Sequence, residues 1–438
     1  MTTMSPAQTF SPAVRIWGTV IGSDGSTVRV VGLGRLAGLG DFIEIDTGSS
    51  LLEGEVIAVD GEELTVLLYA SPEGLCTGQQ AVLAQSKACR PSTHWLGKVL
   101  DAFGHDDEAG LESIEDEDAS PRPAFDRADS RRPLGSRLST GLAALDTLLP
   151  LCRGQRLGVF AGSGVGKSRL MSDLSLGVSA DVVVIGLIGE RTREVGDFVR
   201  LLRSTGGLER TVIIAATSDQ SALVKRRAAD LTMETAELFR DQGHHVLCLF
   251  DSVTRYAEAH REIALAAGEP PALRAFPPST SAQIAKLCER AGPGQDGSSM
   301  GDITAIFTVL VSGSDMEEPI ADMVRGILDG HIVLERTIAE RGRFPAIDLR
   351  RSVSRSAPAA WSPEEELLVA RARQAVALYE EAAPMIQAGL YQAGADPALD
   401  EAVVLWPALD QFIGTRTVGH SDSESFGLLQ SVLAQQRS

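Results

Sequence analysis

The start of the chain alternates apolar and polar residues in short runs cut by glycines. Residues 15–21, 27–31, 41–45, 54–59 and 63–68 each follow the period-two pattern of a strand with one buried face. Their even spacing between positions 14 and 84 predicts a small closed β-barrel. Residues 97–104 read as one further hairpin edge after it. From residue 154 to 355 the pattern changes. Solid apolar runs at 157–161, 182–188, 212–216, 246–250, 303–311 and 331–334 alternate with helical stretches such as 221–240, which ends at Gln242-Gly243. Strands apolar on both faces are strands covered on both faces, so the middle of the chain predicts a parallel sheet between helices. Beyond residue 362 the strand runs stop: Pro363-Glu364-Glu365-Glu366 is a helix start, and 367–378 and 398–412 continue as helices. The expected architecture is α/β, with a barrel domain at 1–90, a nucleotide-type core at 91–361 and a helical domain at 362–438.

Composition narrows the function classes. A chain of 438 residues, 44% of them hydrophobic, can bury a large core and divide into two or three domains. Its net charge of −19 opposes attraction to a nucleic-acid backbone. The barrel offers Trp17, Phe42 and Tyr69 among acidic neighbours instead of a basic stacking surface, which argues against an RNA-translocating ring. No apolar run is long enough to span a bilayer, and residues 1–12 lack a basic start followed by an apolar block, so a cytosolic protein is expected. Cys76, Cys89, Cys152, Cys248 and Cys288 are scattered without paired short spacing, and read as reduced packing residues. The acidic run 106–118, followed by Pro121, Pro123 and Pro133, reads as a solvated connector.

The chemistry concentrates at Arg156 to Ser168. An apolar strand runs into Ala161-Gly162-Ser163-Gly164-Val165-Gly166-Lys167-Ser168, and a helical stretch follows. Glycines at this spacing let successive backbone N–H groups and a helix N-terminus face a polyphosphate. Lys167 would reach the terminal phosphates and the Ser168 hydroxyl would ligate Mg²⁺. Ala161 takes the first position, where the strict pattern has Gly; that position opens the turn and tolerates a methyl.

Two more strand ends carry charge. Residues 246–250 lead into Asp251, the expected place for a carboxylate of the magnesium shell beside a phosphate-binding loop. Residues 185–194 end in Gly189-Glu190-Arg191-Thr192-Arg193-Glu194 at the strand edge where ligands of parallel sheets bind. Glu190 could act as general base on a water and Arg191 could neutralise phosphate charge; spacing alone favours a helix-start carboxylate paired with Arg193 over catalysis.

Taken together, the glycine-rich loop, Gly189 to Glu194 and Asp251-Ser252-Val253-Thr254-Arg255-Tyr256 resemble the catalytic branch of the rotary-ATPase superfamily. Within it, residues 155–168, 261–271 and 327–334 resemble the flagellar and injectisome type III export ATPases, and the likeness runs on to residues 394–400. The resemblance implies a RecA-like core, ATP and Mg²⁺ as cofactors, and a homohexameric ring that energises flagellar protein export, with the injectisome pathway as the alternative. It implies catalytic roles for Lys167, Glu190, Arg191, Asp251 and Arg255, and for Arg355 as an arginine finger inserted into the neighbouring subunit's site. Residues 161–169, Arg169 included, would hold the nucleotide, with Phe344 against the adenine ring and Ser168 and Asp251 on the metal. Implied partners are a stator-like regulatory protein, export chaperones and export-gate membrane proteins, at the cytoplasmic face of the inner membrane. Against the family pattern, Thr192 stands where export ATPases usually carry Gly, Arg169 stands where a small residue is common, residues 274–286 lack the usual aromatic after Pro278 and Ser279, and no amphipathic helix is evident before the barrel. A non-hydrolysing ring subunit would commonly lack the carboxylate at Glu190, so its presence favours hydrolysis.

Overall fold

The period-two runs become β1 (Trp17–Asp24), β2 (Thr27–Val31), β3 (Phe42–Asp46), β4 (Leu51–Asp60), β5 (Glu63–Leu68) and a sixth strand that the apolar pattern did not single out, β6 (Gln80–Ala84). In this computed structural model, which describes residues 16–84, 89–106, 131–272, 275–311, 315–417 and 422–434, they pair antiparallel in the order β1-β2-β5-β4-β3-β6. β6 returns to β1 through the Thr19 and Gln80 pair, which closes the barrel and leaves no strand edge unpaired. Alternation decides which side chains fill it: Val28 and Val30 are buried, while Arg29 between them is exposed. Leu67 lies on the other face of β5 and packs with Ala222, Leu223, Ala259 and Ile263. These residues belong to the same compact unit, made of 1–88, 220–224 and 259–277; the second unit comprises 89–219, 225–258 and 278–438.

The second unit is built on β7 (Val99–Leu100), β8 (Arg156–Ala161), α1 (Lys167–Gly177), β9 (Val182–Glu190), α2 (Thr192–Ser204) and β10 (Thr211–Thr217). It continues with α3 (Ala222–Asp241), β11 (His245–Asp251), α4 (Val253–Ala266), α5 (Ser279–Glu289), β12 (Asp302–Leu310), α6 (Pro319–Ile327) and β13 (Gly330–Leu334). The start of α3 and the end of α4 belong to the first unit. The eight-stranded sheet runs β14-β13-β8-β12-β11-β9-β10-β7, where β14 is Ile347–Ser354 and the short α7 (Arg336–Glu340) precedes it. All neighbours are parallel except β13 and β14. Every residue of β11 is buried, as the solid apolar runs require.

Besides β6, two strands depart from the sequence-based expectation. Residues 97–104, read as a hairpin edge after the barrel, supply β7, which pairs in parallel with β10 at the rim of the core sheet. β14 was absent from the expected strands because Arg350, Arg351 and Val353 of this edge strand are exposed and break its apolar pattern. The acidic stretch from 107 and Pro121 and Pro123 lie outside the described residues. All five cysteines are free; Cys152, Cys248 and Cys288 are buried, whereas Cys76 is exposed.

After α8 (Ala357–Ala360) come α9 (Pro363–Gln387), α10 (Pro397–Ile413) and α11 (Asp422–Leu433). Ser362 and Glu365 form a reciprocal capping box that starts α9. Asp396 accepts from the Ala398 and Leu399 N–H groups to start α10. Tyr379 and Trp406 stack at 4.4 Å between them. Val369, Val376, Leu405 and Leu409 enter the same hydrophobic core as Leu145 and Leu148, so these helices are packed onto the core as well as each other. Among the described residues, no helix is long and apolar enough to cross a membrane.

At the start of β12, Asp302 accepts from the Gly294 N–H (3.0 Å), Arg132 Nη2 (2.9 Å) and Arg153 Nε (2.5 Å). Burial pushes its carboxyl up, but the Gly294 N–H and the two guanidinium groups outweigh burial and hold it below the usual carboxylate range. A depressed folded pKa adds stability above the unfolded value of about 3.9, and that stability is lost as pH falls through the folded pKa. Asp302→Asn is therefore expected to melt below the wild type near neutral pH, with the gap narrowing as pH falls below about 4. A gap that thermal melts show to be independent of pH contradicts this assignment.

Candidate functional site

The carboxyl ends of three strands bring their terminal residues together. β8 ends at Ala161, and the turn from Gly162 leads to Gly166, which caps α1 with φ 92°. That left-handed conformation is open to glycine and strained for other residues. A methyl there would stand 3.0 Å from the Phe344 ring, so the ring's approach to the loop also requires glycine. Val165 is buried and anchors the loop, while Ser163 and Gly164 are exposed at its crown. Arg336 Nη2 donates to the Ser163 carbonyl at 3.0 Å, a tie to α7 that the sequence motif does not announce.

Lys167 opens α1 and turns its ammonium into the fold. Nζ donates to Glu190 Oε1 at 2.9 Å and to Asp251 Oδ1 by a shorter contact. The three side chains are 11%, 14% and 6% exposed, so this is a buried charge cluster rather than a surface pair. Burial alone would lower the Lys167 pKa, but Asp251 and Glu190 outweigh it and hold the ammonium protonated. Burial pushes the Asp251 carboxyl up. Thr308 Oγ1 donates to Asp251 Oδ1 at 2.6 Å from the adjacent strand β12. Thr308 went unnoticed in the sequence; a hydroxyl inside an apolar strand was the available signal.

Glu190 owes its place to a local irregularity. The pairing of β9 with β10 shifts by one residue between Ile188 and Glu190, and Gly189 takes φ 74°. A methyl on Gly189 would come 2.9 Å from Arg255 Cβ and Cγ. Arg255, on α4, packs its stem there and sends its guanidinium to Glu258 at 2.7 Å. A cavity of about 20 Å³ adjoins the cluster, lined by the polar Ser168, Glu190, Glu194 and Asp251 and by apolar residues that include Leu187 and Phe198. Glu194 is the second contributor that sequence reasoning passed over.

The remaining expected residues lie outside the cluster. Arg191 extends from the start of α2, 81% exposed, with Glu194 3.4 Å away. Phe344 lies beside Gly166, and the Arg169 guanidinium sits 5.5 Å from its ring centre. Arg355 follows β14, exposed; its backbone N–H donates to Asp329 O at 2.9 Å and its Nη2 lies 3.4 Å from Arg325 O. Among the described residues it makes no hydrogen bond or ion pair with Lys167, Glu190 or Asp251.

Residues 141–354 match the ATP synthase alpha/beta family, nucleotide-binding domain, and residues 361–425 match the T3SS EscN ATPase C-terminal domain. The chain is 44% identical to the flagellum-specific ATP synthase of Caulobacter vibrioides, across 95% of this chain and 96% of that protein. It superposes with a TM-score of 0.86, at 37% identity, on the assembled ATPase EscN of the enteropathogenic E. coli type III secretion system, covering 95% of this chain and all of that one. EscN in complex with its central stalk EscO superposes with a TM-score of 0.79.

Gly189→Ala is expected to lower stability by about 1–3 kcal/mol, because it combines a left-handed φ with a side-chain collision. Denaturant unfolding measures this, and unchanged stability contradicts it.

Proposed function

The chain belongs to the ATP synthase alpha/beta family, in the branch of the flagellum-specific and type III secretion ATPases, and from that premise we propose that it hydrolyses ATP to energise flagellar type III export as a homohexameric ring. The observation that carries the reading is the Lys167 ammonium shared by Glu190 and Asp251 at the mouth of the glycine loop. A lysine on a flexible stem can exchange from carboxylates to a terminal phosphate. The family shares nucleotide binding, and residues 161–169 supply the cradle, with Phe344 as the wall for the adenine ring.

The oxygen donors at Ser168 and Asp251 suit Mg²⁺, which prefers one or two protein oxygens together with substrate phosphates, and the adjoining cavity carries further carboxylates. When bound there, the ion would neutralise charge on the phosphate oxygens. Glu190 Oε2, the oxygen that Lys167 does not bond, orients the attacking water and accepts its proton as the bond from water to the γ-phosphorus forms and the bond to the ADP oxygen breaks. Lys167 and Arg191 balance the charge that develops on the phosphate. Arg255 keeps Gly189, and so Glu190, in place. Arg355 lies apart from the cluster of its own chain and serves the site of the next copy, which makes the ring part of the chemistry.

The working division is a barrel at 1–90, an ATPase core at 91–361 and a helical domain at 362–438. The EscN complex with its stalk EscO supports a stalk-like regulatory partner. Export chaperones and export-gate membrane proteins complete the set, with the ring in the cytoplasm and peripheral to the inner membrane. Identity hardly separates the two pathways, 44% to the Caulobacter flagellar protein against 42% to the SPI-2 type 3 secretion system ATPase of Salmonella typhimurium; the flagellar reading leads and the injectisome pathway is the alternative.

Lys167→Ala is expected to abolish both ATP binding and turnover. Glu190→Gln should cut turnover by about a hundredfold or more while ATP binding stays within about threefold. Phosphate release and calorimetric titration check both, and full turnover in Glu190→Gln removes it as the base.

A further inference from the structure

The loop after α7 carries two neighbouring residues that lead to different parts of the fold. Phe344 lies on the nucleotide loop, between Gly166 and Arg169. Arg343 beside it is buried and runs toward the C-terminal helices. Its Nη2 donates to Ile347 O at 2.6 Å, and its Nη1 lies 3.1 Å from Asp410 Oδ1 on α10. Nε has no hydrogen-bond partner among the described residues, and Nη1 meets Asp410 as a charge without hydrogen-bond geometry. A guanidinium does not shed its proton, so its burial must be compensated by carboxylates, and Asp410 is the one in contact. The end of α10 closes on the same loop: a methyl on Gly414 would stand 3.2 Å from Arg343 Cγ and 3.5 Å from Phe344 O.

The structure assigns Arg343 as a positioning residue: its pairing with Asp410 fixes Phe344 against the phosphate cradle and ties affinity for the nucleotide base to the position of α10. This rests on Phe344 being the base wall. Pyrophosphate carries the phosphates without the base, so the pair should govern ADP binding and leave pyrophosphate binding alone. A residue that only held the fold together would shift both or neither.

The test compares inhibition constants of ADP and inorganic pyrophosphate for the full chain, Asp410→Asn, Asp410→Glu, Phe344→Ala and the Asp410→Asn/Phe344→Ala pair, with melting temperatures recorded. Asp410 is partly exposed, so its substitution is compatible with folding. Asp410→Asn is expected to weaken ADP about fivefold, leave pyrophosphate unchanged and raise KM for ATP more than it lowers kcat. Asp410→Glu, which keeps the charge, should restore ADP binding to within about twofold, and the Asp410→Asn effect should vanish once Phe344 is Ala. Equal weakening of ADP and pyrophosphate, or no change in either with an intact melt, overturns the coupling. If Phe344→Ala itself leaves ADP binding intact, the base-wall reading fails and the coupling with it.

Discussion

One ammonium between two carboxylates is the contact around which the nucleotide-binding core is arranged. Lys167, Glu190 and Asp251 come from the ends of three separate elements, and a buried charge cluster of this kind is held because the ammonium faces opposite charge on two sides. The parallel sheet meets that demand. β8 delivers Lys167 through the glycine turn, β9 delivers Glu190 through the shifted register at Gly189, and β11 delivers Asp251 within reach of Thr308. The cluster itself carries one positive and two negative charges. A polyphosphate entering it needs further cations, which is the electrostatic reason for the proposed metal and for Arg191 and Arg355.

The same requirement explains the supporting contacts. Gly166 lets the Phe344 ring approach the loop, Arg336 holds the Ser163 carbonyl, and the Arg255 stem fills the space that a Gly189 side chain would need. Arg343 then joins this region to α10 through Asp410. The glycine loop, the proposed base wall and the C-terminal helices thus share one stretch of chain between Arg336 and Phe344.

The elements legible in the sequence were those whose pattern is local. β9 and β11 are unbroken apolar runs that end in a carboxylate, and the glycine loop is contiguous, so Lys167, Glu190 and Asp251 could each be singled out before their meeting was seen. β7 was assigned to the wrong neighbour because two residues carry no periodicity of their own and pair with β10 more than a hundred positions later. β14 was missed because an edge strand keeps one side in water, where Arg350 and Arg351 hide its period. Thr308, Glu194 and Arg343 act through contacts that only the folded chain makes. The roles of Phe344 and Arg355 came from family likeness, since a lone aromatic or a loop arginine has no sequence signal.

Arg355 bears the greatest weight in the proposed ring, because its own chain holds it at Arg325 and Asp329, apart from the charge cluster. A chain that contributes a cradle at one face and a guanidinium at another completes a site only against a second copy. The most direct measurement mixes Lys167→Ala protomers with Arg355→Ala protomers, each inactive alone, and follows phosphate release. About a quarter of the junctions in a random mixture pair an intact cradle with an intact arginine, so partial activity should return. A mixture as inactive as its parts, or an Arg355→Ala protein that turns over normally by itself, contradicts a site shared between neighbours.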